Sequence, residues 1–147
     1  MPLEHLLCFT NPIKDLSPLR NMPLKGLHLA GTEVVDISPL EGMKLETLSI
    51  EGTKIKEISV LKGMPLGILN IGLTQVTDLS PLQGMPLSKL HCGYSQVSDL
   101  SPLKGLPLEE LGIPGNLVTD LSPLEEMPLT DLLLAGFNSP LKNPTGC

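Results

Sequence analysis

The stretch Met22-Pro23-Leu24-Lys25-Gly26-Leu27-His28-Leu29-Ala30-Gly31-Thr32-Glu33-Val34-Val35-Asp36-Ile37-Ser38-Pro39-Leu40-Glu41-Gly42 decides the fold, because its wording returns along the whole chain. Met1-Pro2-Leu3, Met64-Pro65-Leu66, Met85-Pro86-Leu87 and Met127-Pro128-Leu129 start the same 21-residue frame. Met43-Lys44-Leu45 and Leu106-Pro107-Leu108 open the two remaining units. Seven units (1-21, 22-42, 43-63, 64-84, 85-105, 106-126 and 127-147) therefore fill the 147 residues, and all six methionines fall in one column. We expect a single domain.

Composition explains why repetition is needed. The chain has no Trp, one Tyr and two Phe, so no large aromatic anchors a conventional core. Leu, Ile, Val and Met must bury apolar area in small steps, each worth about 1.5–3 kcal/mol when fully removed from water. The third and sixth positions of the frame are Leu in every unit, and the eighth reads Cys8, Leu29, Ile50, Ile71, Cys92, Ile113 and Leu134. Apolar residues return at the thirteenth (Ile13 to Val118), sixteenth (Leu16 to Leu121) and nineteenth (Leu19 to Leu124) positions.

Local geometry follows from these spacings. Positions six and eight share one face of a short strand, while five, seven and nine point the other way. One strand per unit stacks into a parallel sheet. The return path cannot be a long helix, because most units carry two prolines five residues apart, such as Pro18 and Pro23. Ser-Pro-Leu reads as an N-cap hydroxyl followed by Pro at the first helical position, giving one short 3₁₀-like turn. Gly42, Gly63, Gly84 and Gly105 read as left-handed stops. The third unit lacks both prolines, with Lys44 and Val60 in their places, and is expected to be the softest joint. The competing fold, a β-helix, would need long strands on the return path, where paired prolines disfavour them.

The combined pattern, L-x-x-L-x-L-x-x-[N/T]-x-[I/V] followed by D-[L/I]-S-P-L, resembles bacterial leucine-rich repeats of the internalin type, whose D-I-S-P-L segment matches Asp36-Ile37-Ser38-Pro39-Leu40. The resemblance implies an α/β leucine-rich-repeat solenoid, with a curved parallel β-sheet on the concave face and short turns or 3₁₀ segments on the convex face. Similar arrays also occur in large bacterial proteins beside serine/threonine kinase domains. This sequence departs from the internalin type in two ways: its units are one residue shorter, and the column that is usually Asn reads Asn11, Thr32, Thr53, Thr74, Ser95 and Asn116. A hydroxyl offers one rotatable donor and one oxygen where an amide both donates and accepts, so a thinner ladder between units is expected. The last unit leaves the pattern after Gly136, and neither end carries a polar cap. The expectation is a segment of a longer array, or open ends that pair with a second copy through Leu7, Phe9, Leu133 and Phe137.

Several kinds of chemistry are argued against. Cys8 and Cys92 lie four units apart on the inward column, about 19 Å at ~4.8 Å per strand, too far for a disulfide. Both read as small core residues, and Cys147 as an exposed terminal thiol. His28 and His91 share the outward seventh column about 14 Å apart, and no acid or thiol completes a metal set around His5 and His28. His91 and Cys92 are adjacent in a strand and so face opposite ways. No phosphate-cradling glycine loop, nucleophile elbow or kinase string occurs. The reading is therefore a non-enzyme with no metal and no cofactor.

Charge gives one further stripe. Asp15, Asp36, Glu57, Asp78, Asp99 and Asp120 recur at the fifteenth position, and setting these six aside leaves ten acids against ten bases, so the stripe equals the net charge of −6. Asp just ahead of a turn accepts backbone N–H bonds, and that structural role is preferred to a calcium or basic-partner site. Scattered Lys and Arg with a pI near 4.9 argue against nucleic-acid binding. No apolar run suits a membrane span and no signal peptide opens the chain, which reads as soluble and slightly favours a cytoplasmic setting.

A partner would meet the outward strand positions. Gly26, Ala30, Gly72, Gly93, Gly112, Pro114 and Ala135 are expected to leave that floor bare. The exception is a mid-array cluster, where Ile68 and Asn70 should adjoin Lys89 and His91 with Tyr94 on the loop beyond. These five residues are the candidate partner-binding set, and a second patch combines His5, Leu7, Phe9 and His28. The expected function is a protein-protein interaction module taking a protein or peptide on the concave face. The alternatives are a regulatory or scaffold segment of a larger bacterial protein such as a serine/threonine kinase, and a self-associating structural solenoid.

Overall fold

A computed structural model describes residues 2–134. The departure from pattern after Gly136, Ala135, Phe137 and the Cys147 thiol lie outside the described residues. Within them the chain makes one seven-stranded parallel sheet in sequence order, β1 (His5–Leu7), β2 (Gly26–His28), β3 (Thr47–Ser49), β4 (Ile68–Asn70), β5 (Lys89–His91), β6 (Glu110–Gly112) and β7 (Asp131–Leu133). Each strand pairs with the next at a constant offset, Leu27 opposite Leu48 and Leu48 opposite Leu69. The ladder outlasts the strands: Ile50 N–H donates to Asn70 C=O at 2.9 Å and Gly52 N–H to Gly72 C=O at 3.0 Å. Among the described residues no α-helix and no return-path strand occurs, which removes the β-helix alternative.

The inward columns make one continuous core. Leu27, Leu69 and Leu90 at the sixth position are 0% exposed and Leu48 is 1%. Leu29, Ile50, Ile71 and Cys92 at the eighth position, and Val34, Ile55, Val76 and Val97 at the thirteenth, join them in the same cluster. Met43, Met64 and Met85 close it from the unit starts. An unbranched thioether fits the irregular gap between strand and turn. Cys8 and Cys92 are free and buried, and burial pushes the Cys92 thiol up to about 12.

In the first six units the return path is a single 3₁₀ turn, Ser17–Leu19, Ser38–Leu40, Ser59–Leu61, Ser80–Leu82, Ser101–Leu103 and Ser122–Leu124. The capping assignment made from sequence is wrong in one respect. Ser is the first residue inside the turn, Pro the second, and the serine hydroxyl caps no backbone group. The Asp two residues earlier takes that role: Ser38 N–H and Ser80 N–H each donate to Oδ1 of Asp36 and Asp78 at 2.8 Å. The serine hydroxyls donate to the same carboxylates, at 2.9 Å for Ser38 and 2.8 Å for Ser80. Asp15, Asp99 and Asp120 do likewise. The five Asp of the acidic stripe are thus turn caps, and Glu57, its sixth member, is not. Gly42, Gly63, Gly84 and Gly105 close the turns with φ between 74° and 80°, and Asn21 and Glu126 adopt the same left-handed conformation at the corresponding positions.

The hydroxyl column behaves as its chemistry dictates. Thr32, Thr53 and Thr74 each donate to a carbonyl three residues back, at 2.6–2.7 Å, and so tie only their own unit. Asn116 instead reaches across units, accepting from Ser95 N–H at 3.0 Å and donating to Cys92 C=O at 2.8 Å. The other amide in this column, Asn11, stays local, its Nδ2 donating to Phe9 C=O at 3.0 Å, so Asn116 marks the one described place where the column bridges two units through an amide.

Candidate functional site

The outward face carries the side chains left over once the core is satisfied. Register places Ile68 beside Lys89 and Asn70 beside His91, as the spacing predicts. Leu69 and Leu90 between them point inward, which fixes the opposite orientation of their neighbours. Ile68 is 42% exposed.

Sequence reasoning missed the acids that organise this cluster. Glu110, on β6, holds Lys89 Nζ at 2.9 Å with one oxygen and lies 2.7 Å from His91 Nε2 with the other. An ionised carboxylate only accepts, so His91 Nε2 carries a proton in this contact. The bonds from Lys89 and then His91 hold the Glu110 carboxyl below its usual range, and Glu110 raises the Lys89 ammonium. Glu51 accepts from Asn70 Nδ2 at 2.9 Å, while Asn70 Oδ1 accepts from Gly72 N–H at 2.9 Å. Asn70, Lys89 and His91 are therefore held by polar contacts rather than splayed into water. The signal was available in outward columns five and nine, where Glu110 and Glu51 are the only acids in units one to six.

Tyr94 occupies a second column that the sequence did not single out. The tenth position takes a left-handed backbone in six successive units: Thr10 (φ 51°), Gly31 (68°), Gly52 (68°), Leu73 (54°), Tyr94 (54°) and Gly115 (68°). The conformation lets the N–H groups of Thr10, Gly31, Gly52, Leu73 and Tyr94 continue the ladder, Leu73 N–H reaching Gly93 C=O at 2.9 Å. Glycine meets this demand without cost, whereas a bulky side chain with positive φ is an outlier that costs on the order of 1–3 kcal/mol. Leu73 and Tyr94 are nonetheless 55% and 52% exposed, so burial does not compensate for the strain. The Tyr94 ring lies over Gly115, where a Cβ would stand 2.5 Å from its Cδ1.

The floor is not bare, contrary to expectation. Gly26, Gly72, Gly93 and Gly112 are buried because neighbours lean over them. The His5 ring covers Gly26 and the His91 ring covers Gly112, while a Cβ on Gly93 would meet Pro114 Cγ at 2.6 Å. What remains open is a depression of about 340 Å³ over β2 and β3, floored by Ala30, Thr47 and Ser49 and walled by Phe9, His28, Ile68 and Asn70. A smaller one of about 200 Å³ lies between Leu73, Tyr94, Pro114 and Leu133. Both are lined by Glu51, Asn70 and His91, so those three residues form the ridge between two lobes. Phe9 and His28, 5.9 Å apart between ring centroids, belong to the wall of the first lobe rather than to a separate patch.

Parallel three-residue strands, one short turn per unit and a Leu-lined interior define the class: the chain is a leucine-rich-repeat solenoid. Its repeats are internalin-like. Internalin C2 from Listeria monocytogenes shares 32% identity and a TM-score of 0.90, over 98% of this chain and 66% of that one. Internalin F of the same species shares 26% identity with a TM-score of 0.77, over 94% and 48% of the two chains. The functional domain of InlJ, at 23% identity and a TM-score of 0.57, shares the fold over 91% and 35%. This chain thus spans from about a third to about two thirds of these three structures. No protein-family model and no curated protein matches it.

Proposed function

We propose that this array is a non-catalytic protein-interaction module whose partner, a protein or peptide, lies along the strand face across Ile68, Asn70, Lys89, His91 and Tyr94. The observation that carries this reading is the strained tenth column. Two large apolar side chains stand exposed at positions where glycine fits better and is used in neighbouring units. Strain without compensating burial marks a residue kept for something other than folding. The adjacent lobes and the hydrogen-bonded Glu110–Lys89–His91 group supply the apolar centre and polar border of a recognition surface. Similarity to internalin repeats agrees with an array built to present a face rather than a reaction centre.

Glycine substitution separates the two roles. The double variant Leu73→Gly, Tyr94→Gly should keep or raise the urea midpoint, because each glycine adopts the required φ freely. The same variant should lose partner binding by tenfold or more, on the scale of an aromatic anchor. A photo-crosslinking residue at position 94 should give a partner adduct, and one at Gln83 on the turn side should not. Adducts only from the turn side, or full binding by the double glycine variant, would contradict the proposal.

A further inference from the structure

Glu51, Ala30 and Phe9 occupy the same frame position in three successive units, and they read across the first lobe as carboxylate, methyl group and aromatic ring. Phe9 and Glu51 are therefore two strand spacings apart, about 9.6 Å between backbones at ~4.8 Å per strand. Small residues hold the ground between them, with Ala30 in the row and Ser49 beside it. Phe9 is 50% exposed, and His28 packs against it at a tilted 55°. Glu51 forms no ion pair among the described residues, although Glu110, Glu4 and Glu33 each hold a lysine. Its single side-chain partner is the neutral Asn70 amide at 2.9 Å.

We propose that this lobe receives an arginine side chain from the partner protein. The proposal rests on the reading of the strand face as an interaction surface and names the chemistry of one contact on it. The arginine stem would lie over Ala30, which keeps partial exposure between Phe9 and Glu51. The guanidinium would place its edge against the Glu51 carboxylate and its plane near the Phe9 ring. A planar, weakly hydrated cation meets both demands, because carboxylates take it through paired N–H bonds and aromatic rings attract its face. A volume near 340 Å³ suits one side chain with its flanking backbone. An apolar residue would leave the Glu51 carboxylate facing it without a counter-charge, and an acidic one would be repelled.

The test uses nuclear magnetic resonance titration of the ¹⁵N-labelled chain with two blocked peptides, acetyl-Gly-Arg-Gly-amide and its citrulline counterpart, which keeps the shape and removes the charge. The arginine peptide should shift the amides of Ala30, Ser49, Glu51 and Asn70 saturably, and the citrulline peptide should bind about tenfold or more weakly. Glu51→Gln, whose amide oxygen still accepts from Asn70, should weaken the arginine peptide by a similar factor with an unchanged circular dichroism spectrum. Phe9→Ala should weaken it less. Equal shifts from both peptides, unchanged binding by E51Q, or arginine shifts confined to the turn-side stripe of Asp78 and Asp99 would overturn the assignment. If crosslinking through position 94 still captured the partner, the interaction surface would stand and only the arginine pocket would fall. Loss of both would remove the surface itself.

Discussion

The two faces of one strand follow opposite rules. Leu69 points inward beside Ile71 in columns that stay apolar down the array, while Ile68 and Asn70 point outward in columns that change with every unit. The inward face repeats because each unit must extend the same dry interior, so a substitution there is felt by the units on both sides. The outward face is under no such demand, and its singular residues carry whatever is specific to this chain. Repetition therefore marks what folds, and broken repetition marks what recognises.

Substitutions on the two faces sharpen that contrast. Leu69→Ala should have the largest effect, a loss of about 2–5 kcal/mol in urea unfolding, since its side chain is wholly enclosed and leaves a cavity. Thr74→Val keeps shape and removes the donor to Ile71 C=O at 2.6 Å in a buried setting. It should cost about 1–3 kcal/mol.

The turn caps should respond to acid. Hydrogen bonds from the serines lower the carboxyls of Asp15, Asp36, Asp78, Asp99 and Asp120, with the hydroxyl dominant at Asp15 and Asp99 and the N–H at the other three. A folded-state value below the unfolded one, near 3.9, means that this stabilisation is present at neutral pH. It is lost as pH falls through the folded values. The urea midpoint should drop between about pH 5 and about pH 2, and changing all five to Asn, which still accepts, should flatten that drop.

Val60→Pro fills the turn position that the neighbouring units give to proline, and should raise stability by about 0.4–1 kcal/mol. The third unit also has Glu57 where the others have a capping Asp, and Ser59 gains no bond from it, so this joint has two deficits in one turn. Ile68→Ala should be the smallest change, within about 0.5 kcal/mol, while weakening partner binding.

Legibility in the sequence follows the same division. Leu27, Leu48 and Leu69 were readable because a fixed offset and a period of two leave one way to bury them. The Asp column was readable as a capping device, but the serine after it was not assigned correctly. A hydroxyl ahead of Pro suits an N-cap, and only coordinates show that Asp already satisfies the turn. Glu110 and Glu51 were missed because a lone acid on an outward column looks like ordinary surface until its distances are known. The left-handed state of Leu73 and Tyr94 was hidden for a different reason: sequence registers Gly31, Gly52 and Gly115 as permissive, not as a conformation imposed on the residues between them. The glycine floor was misjudged because neighbouring side chains, His91 and Pro114 among them, fill space that glycine opens.

The alternation of faces can be measured directly with thiol chemistry in a Cys147→Ser background. Cys92 is fully enclosed with its thiol pushed up to about 12, while His91, one residue earlier, is on the open face. A thiol reagent at about pH 8 should leave Cys92 untouched in the native chain until denaturant is added, and should label His91→Cys at the rate of a free thiol. Rapid native labelling of Cys92, with His91→Cys protected, would show that the strand faces are reversed.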